Sequence, residues 1–227
     1  MKKLAITMLA LVVTFGMGFA SEADGHLEDG EYIGYSEADE NSFVEAVVNI
    51  EDGEITSVEL SEYTDLYLEK GEGYPLEWHE AMDVLPERFV EANSSEVDAV
   101  SGATGSSEKA KSAVEMALQK ARGVEQFDGT FLGRSEESER GNWGVAWVTI
   151  EGDEIVDVRL EEATEDEEFK GEDYPWLEFH HAQELVADAF VLFDSPDVDT
   201  YSGATSSTEL WREAVQNALE KSGWSFE

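Results

Sequence analysis

Four stretches of the sequence occur twice, in the same order and about one hundred residues apart. Asp29-Gly30-Glu31-Tyr32-Ile33-Gly34-Tyr35-Ser36 returns as Asp128-Gly129-Thr130-Phe131-Leu132-Gly133-Arg134-Ser135. Asn49-Ile50-Glu51-Asp52-Gly53-Glu54-Ile55 returns as Thr149-Ile150-Glu151-Gly152-Asp153-Glu154-Ile155, and Tyr74-Pro75 as Tyr174-Pro175. Asp98-Ala99-Val100-Ser101-Gly102-Ala103-Thr104 returns as Asp199-Thr200-Tyr201-Ser202-Gly203-Ala204-Thr205. The spacing drifts from 99 to 100 to 101, as single-residue changes in loops produce. Such a chain must build one small domain twice; the period is too long for a solenoid. The expected organisation is a leader over 1–20, a first domain over 21–124 and a second over 125–227, with Lys120 to Gln126 as the junction.

Each copy carries the same run of elements. Glu31 to Ser36 and Thr130 to Ser135 read as short strands after an Asp-Gly turn. Phe43 to Ile50 and Trp143 to Ile150 are β-branched and aromatic runs that favour strands. The turn pairs Asp52-Gly53 and Gly152-Asp153 predict hairpins into Glu54 to Leu60 and Glu154 to Leu160. An acidic loop follows, up to Tyr74-Pro75 and Tyr174-Pro175. Trp78, Ala81, Met82, Leu85 and Phe89 then fall at helical spacing, as do Phe179, Ala182, Val186 and Phe190. Pro86 is expected to kink or shorten the first of these helices. A final apolar stripe, Ala110, Ala113, Val114, Ala117, Leu118 and Ala121, has its twin in Trp211, Ala214, Val215, Ala218 and Leu219. Strands followed by helices predict an α+β fold, two tandem repeats with an antiparallel sheet in each.

Charge sets the surface. With 53 acidic residues against 14 basic ones the formal charge is −39, so no nucleic acid partner is expected. An apolar fraction of 41% with 11% aromatics excludes a disordered acidic chain. Dense carboxylates fit a halophilic surface, soluble in high salt and needing salt to fold. A calcium-binding surface is the weaker reading, since no D-x-[DN]-x-[DN]-G loop occurs. The chain has no cysteine, which removes disulfides, thiolate metal sites, iron–sulfur clusters and haem attachment. The four histidines show no H-E-x-x-H arrangement and read as surface or packing residues; no metal site is expected.

The N-terminus has the grammar of a secretory signal. Lys2 and Lys3 precede an uncharged apolar stretch from Leu4 to Phe19, and Gly18-Phe19-Ala20 supplies small residues for cleavage before Ser21. The expectation is export to a periplasmic, cell-surface or extracellular location. An uncleaved membrane anchor is the rival, and the stretch is short for one.

The pattern D-x-x-S-G-A-T has five fixed residues, and a chance match in a chain this long is roughly one in ten thousand. It occurs twice at equivalent places. Helices are expected to start just after it, at Gly105 and Ser206, with Ser206 and Glu209 completing a capping box. The threonines then stand immediately before helix N-termini, where free N–H groups and the dipole favour a phosphate. Gly102-Ala103 and Gly203-Ala204 are small enough for a bulky ligand to approach the backbone. Spacing alone leaves two readings open, a phosphate site and a plain capped turn, and nothing in it specifies a flavin.

Asp98 to Thr104 and Asp199 to Thr205 resemble the flavinylation motif of the FMN-binding domain family. That family includes the flavin-bearing subunits of the sodium-pumping NADH:quinone reductase and the Rnf complexes. The resemblance spans most of both repeats, with Ser-Gly-Ala-Thr as its specific part. It implies that a flavin transferase, using FAD and Mg²⁺, places FMN covalently on Thr104 and Thr205 as a phosphoester. It also implies that Asp98, Ser101, Gly102 and Ala103, with Asp199, Ser202, Gly203 and Ala204, present the turn to that enzyme. Tyr74, Trp78, Tyr174, Trp176 and Phe179 then offer rings that could stack on an isoalloxazine, although Trp78 and Phe179 also fit the core stripe of a helix.

The function these expectations favour is an exported electron-transfer flavoprotein with a membrane or extracellular redox partner. No nucleophile–base pair and no nicotinamide fingerprint is visible, so no catalytic residue is assigned. A flavin-dependent extracellular reductase is the alternative, and a non-redox surface module with a bare turn is the third.

Overall fold

The computed structural model describes residues 26–225; the leader expected over 1–20 lies outside them. The first half contains strands β1 (Gly30–Tyr35), β2 (Ser42–Glu51) and β3 (Glu54–Thr64), then helices α1 (Leu76–Ala92) and α2 (Thr104–Ala121). The second half repeats them as β4 (Gly129–Arg134), β5 (Trp143–Glu151), β6 (Glu154–Ala163), α3 (Leu177–Phe193) and α4 (Thr205–Ser222). Each half is a three-stranded antiparallel meander, β1-β2-β3 and β4-β5-β6, with two helices on one face. The α+β expectation is met in both.

The tight turns form as the sequence predicts. Asp52 and Gly53 both take positive φ, 54° and 76°, as do Gly152 and Asp153 at 60° and 66°, the backbone that a two-residue hairpin with a matching twist requires. Both hairpins carry a bulge at the same place, beside Ile50 and Ile150.

Two strands run further than expected. β3 continues past Leu60 to Thr64, and β6 past Leu160 to Ala163. Glu62 and Glu162 look like the start of a solvated acidic loop, yet both carboxylates are buried and paired with lysines, so the ladder continues through them. Pro86 neither ends nor shortens α1, which has 17 residues, as does its proline-free counterpart α3.

The helices dock by two devices present in both halves. Gly34 on β1 and Gly133 on β4 lie so close to the last helix that a Cβ would collide with the carbonyls of Ala113 and Ala214. At the other edge, α1 and α3 end in left-handed residues, Asn93 and Asp194. Their side-chain oxygens accept the N–H of Ile55 and of Ile155, each at 2.8 Å, which ties each helix end to its sheet. Between these anchors lies the core. In the first half Val44, Ala46, Val48 and Ile50 face Ala81, Leu85, Phe89, Ala113 and Ala117.

The halves also share a third cluster. Phe43 and Ala38 from the first meet Leu132, Trp143, Val145 and Trp147 from the second, flanked by Tyr63, Tyr67 and Leu68. Trp143 Nε1 donates to Leu66 O at 3.0 Å, and Trp147 Nε1 to Asp39 O at 3.1 Å. Lys221 at the end of α4 donates to Leu132 O and lies 4.2 Å from the ring centre of Tyr67 and 4.5 Å from that of Phe43. Burial pulls this ammonium down from the ordinary lysine value to about 7.

Candidate functional site

The repeated motif forms the turn into the last helix of each half. Gly102 and Gly203 adopt φ of 89° and 98°, a conformation that side chains with a Cβ rarely take. Gly102 is doubly constrained, because a Cβ there would meet the Glu77 side chain of α1 at 2.8 Å. Ala103 and Ala204 are buried against the core, which fixes the turn to the body of each half.

The helix starts differ from expectation. Ala103 and Ala204 are the N-caps, Thr104 and Thr205 are the first helical residues, and neither cap has a side-chain hydrogen bond. The expected starts at Gly105 and Ser206, and the capping box of Ser206 with Glu209, do not form. The reason lies one turn inside the helix. Ser107 Oγ accepts the N–H of Val100 at 3.0 Å and donates to Ala103 O at 2.8 Å. Thr208 Oγ1 does the same with Tyr201 N–H at 3.3 Å and Ala204 O at 3.0 Å. Both hydroxyls belong to fully buried residues, and they clamp the turn from inside. Sequence reasoning missed them, although a hydroxyl residue three places after each motif threonine is itself part of the repeat.

The clamp leaves the motif's outer face open. Ser101, Gly102 and Thr104 are exposed, as are Ser202, Gly203 and Thr205, and so are Asp98 and Asp199. The first intrahelical bonds run from Ser107 N–H to Ala103 O and from Thr208 N–H to Ala204 O. The amides of Thr104, Gly105 and Ser106, and of Thr205, Ser206 and Ser207, precede them. Each motif threonine therefore presents its hydroxyl beside the positive end of a helix.

Beside each threonine lies a buried ion pair that sequence reasoning also missed. Glu62 Oε1 accepts from Lys70 Nζ at 2.7 Å and from Ser42 Oγ at 2.8 Å; Oε2 accepts from Trp78 Nε1 at 2.7 Å. Burial alone would push this carboxyl up, but the hydrogen bonds from Lys70, Ser106, Ser42 and Trp78 together outweigh it and hold Glu62 below the ordinary carboxylate range. In the second half Glu162 Oε1 accepts from Lys170 Nζ at 2.5 Å and from Asn142 Nδ2 at 3.0 Å. Its Oε2 is buried with no hydrogen-bond partner among the described residues. The residue equivalent to Trp78 is Phe179, which has no N–H to give.

The aromatic expectations divide. Phe179 is buried and packs edge-on against Tyr174, so it belongs to the core. Trp78 is half-buried, tilted against Tyr74 and committed to Glu62. Trp176 is 52% exposed. It borders a cleft of about 770 Å³ whose walls include Thr205, Lys170, Arg140, Tyr174 and Glu162. That volume falls in the range of small-molecule sites. Lys170, Arg140, the rings of Tyr174, Trp176 and Phe179 and a helix N-terminus converge there, together with the carboxylates of Glu139, Glu162, Glu209 and Glu213.

These features fit FMN. The amides at the helix start suit its phosphate, the rings of Tyr174 and Trp176 suit its ring system, and the orphaned oxygen of Glu162 suits a donor on the ligand.

Comparison with known proteins agrees. The sequence profile of the FMN-binding domain matches residues 41–119 and again 141–220. No match is found among curated proteins. Among solved structures the chain is similar to the CPE2226 protein from Clostridium perfringens, at 24% identity over 43% of this chain and 90% of that one. The TM-score of that pair is 0.39. The two profile matches cover more than half of the chain and fall on the two structural repeats, and the protein belongs to the FMN-binding domain family, with two tandem copies.

Proposed function

We propose that this flavoprotein carries FMN covalently on Thr104 and on Thr205, and that it relays electrons outside the cytoplasm. The observation that carries the reading is the equivalent placement of the two threonines. Each is exposed, at the first residue of a helix, on a turn clamped from inside by a buried hydroxyl.

The chain's own residues define what such a site does. The clamp of Ser107 or Thr208 holds the backbone still while the threonine hydroxyl stays accessible. Attachment by a flavin transferase would join the threonine Oγ to the FMN phosphorus of FAD, breaking the phosphoanhydride bond and releasing AMP together with the hydroxyl proton. The free amides at the helix start stabilise the resulting phosphoester anion. In the second half Tyr174 and Trp176 offer apolar faces, while Lys170 is held by Glu162. Bound flavin supplies one- or two-electron exchange.

Two copies of the site in one small chain suit a relay or reservoir better than a single catalytic centre. The covalent link suits a compartment with no FMN supply, which agrees with the leader read from Lys2 to Ala20. The partners are a flavin transferase for maturation and a membrane-bound or extracellular redox protein. A surface of charge −39 favours a basic face on that partner and makes docking sensitive to salt.

The test is stopped-flow reoxidation of the flavinylated, reduced protein against a range of one- and two-electron acceptors. Broad reoxidation supports the relay. Saturable turnover of one small metabolite, with other acceptors inert, overturns it in favour of a reductase.

A further inference from the structure

We infer that Glu162 is a flavin-contacting residue peculiar to the second half: its free oxygen accepts a hydrogen bond from the flavin carried on Thr205, whereas the equivalent Glu62 is saturated from within the protein. This rests on the proposed attachment at Thr205. Glu162 lines the same cleft as Thr205, is 2% exposed, and has Oε2 buried and, among the described residues, without a partner. A buried carboxylate oxygen left unsatisfied costs more than a typical hydrogen bond returns, so a donor brought by a ligand is strongly favoured there. The first half shows which donor such an oxygen takes, since Trp78 Nε1–H reaches Glu62 Oε2 at 2.7 Å. In the second half the indole has moved to the other helix. Phe179 stands in place of Trp78 and Trp211 in place of Ala110, and the Trp211 N–H is spent on Glu161 O at 2.8 Å. Nothing else inside the second half, among the described residues, reaches Glu162 Oε2.

The consequence is that the two flavins differ in potential. A carboxylate in contact with the flavin disfavours added negative charge, so it holds the Thr205 flavin at a lower potential than it would have without that contact.

Single-flavin proteins isolate the effect: Thr104→Ala leaves the flavin on Thr205, and Thr205→Ala leaves the one on Thr104. Spectroelectrochemical titration is then repeated with Glu162→Gln in the first protein and Glu62→Gln in the second. Both substitutions remove one charge beside a lysine, so the through-space effect is matched and the difference reports contact. The expected result is a positive shift at both sites, larger for the Thr205 flavin by a roughly fivefold change in the oxidised-to-reduced ratio at fixed potential, the size of one hydrogen bond. Phe179→Trp, which changes no charge and supplies an internal donor, is expected to shift the Thr205 flavin in the same direction, and it decides the matter if Glu162→Gln does not fold. Equal shifts at the two sites, or no response to Phe179→Trp, overturn the inference. Intact mass separates the layers: a protein with no flavin on Thr205 overturns the attachment and this inference together, whereas a flavinylated protein with matched shifts overturns this inference alone.

Discussion

Strands β2 and β5 hold equivalent places in the two halves, yet β2 alternates between buried and half-buried residues from Val44 onward, while β5 is buried at its first six positions. The difference is the interface. Trp143 and Trp147 stand where the first half has Phe43 and Val47, and they face the aromatic cluster of Phe43, Tyr63 and Tyr67. The outer face of the second sheet is thus covered by the first half. One architecture has become two unequal partners, with the second more dependent on the first for its burial. Glu62 and Glu162 repeat the lesson at the candidate site: both oxygens of Glu62 have donors, whereas among the described residues Glu162 Oε2 has none.

The largest expected effect tests this dependence. Trp143→Ala should destabilise the protein by about 3–5 kcal/mol, because a large side chain only 3% exposed leaves a cavity. Val47→Ala, on the open side of β2, should cost far less. Comparable losses in urea melts of the two variants would break the asymmetry.

The clamps come next, and here the halves should agree. Ser107→Ala and Thr208→Val each leave a backbone N–H without its acceptor, that of the buried Val100 at about 1–3 kcal/mol and that of the half-buried Tyr201 at the lower end of that range. Each should also lower flavin loading on its own threonine, read by the mass of the isolated peptide. Loss of loading at the other threonine would mean that the two turns are not independent.

The smallest effect is a matter of pH. Lys221 and Lys120 are equivalent, and burial pulls both down, Lys221 to about 7. Between pH about 7 and about 10 an unfolded lysine still binds its proton while the folded Lys221 has lost it. The unfolded state therefore binds more protons, and stability rises with pH across that window; below pH 7 the cost of the buried charge is fully present. Tyr35 and Tyr67 beside it keep their protons throughout, pushed up first by burial and then by Glu45. Lys221→Met should flatten the rise in urea midpoint from pH 7 to 9.5, and Lys120→Met should flatten it less. An unchanged slope in Lys221→Met would show that the interface tolerates the charge.

Most of the fold was legible because repetition and periodicity are properties of sequence. The hairpin turns announce themselves through Asp52-Gly53 and Gly152-Asp153, and the apolar stripes of the last helices lie in the core at every position named. What stayed hidden depends on which side chains meet once the chain has folded, near or far in sequence. Glu62 looks solvated until Lys70, Ser42 and Trp78 surround it. Ser206 and Glu209 form a convincing capping pair on paper, yet Thr208 inside the helix takes over the turn. The burial of β5 needs the other half of the molecule to exist at all. The Glu–Lys pairs were recoverable in principle, because Glu62 with Lys70 recurs as Glu162 with Lys170 at the period of the repeat.

Under the proposed function the two halves, unequal in packing, are equal in carrying a flavin. Intact mass with visible absorption of the denatured protein, made with an active flavin transferase, tests it most directly. The account predicts two FMN phosphoesters on the unaltered chain, one in Thr104→Ala, one in Thr205→Ala and none in the double variant. Flavin mapped to any other residue, or a colourless chain made beside an active transferase, would contradict it.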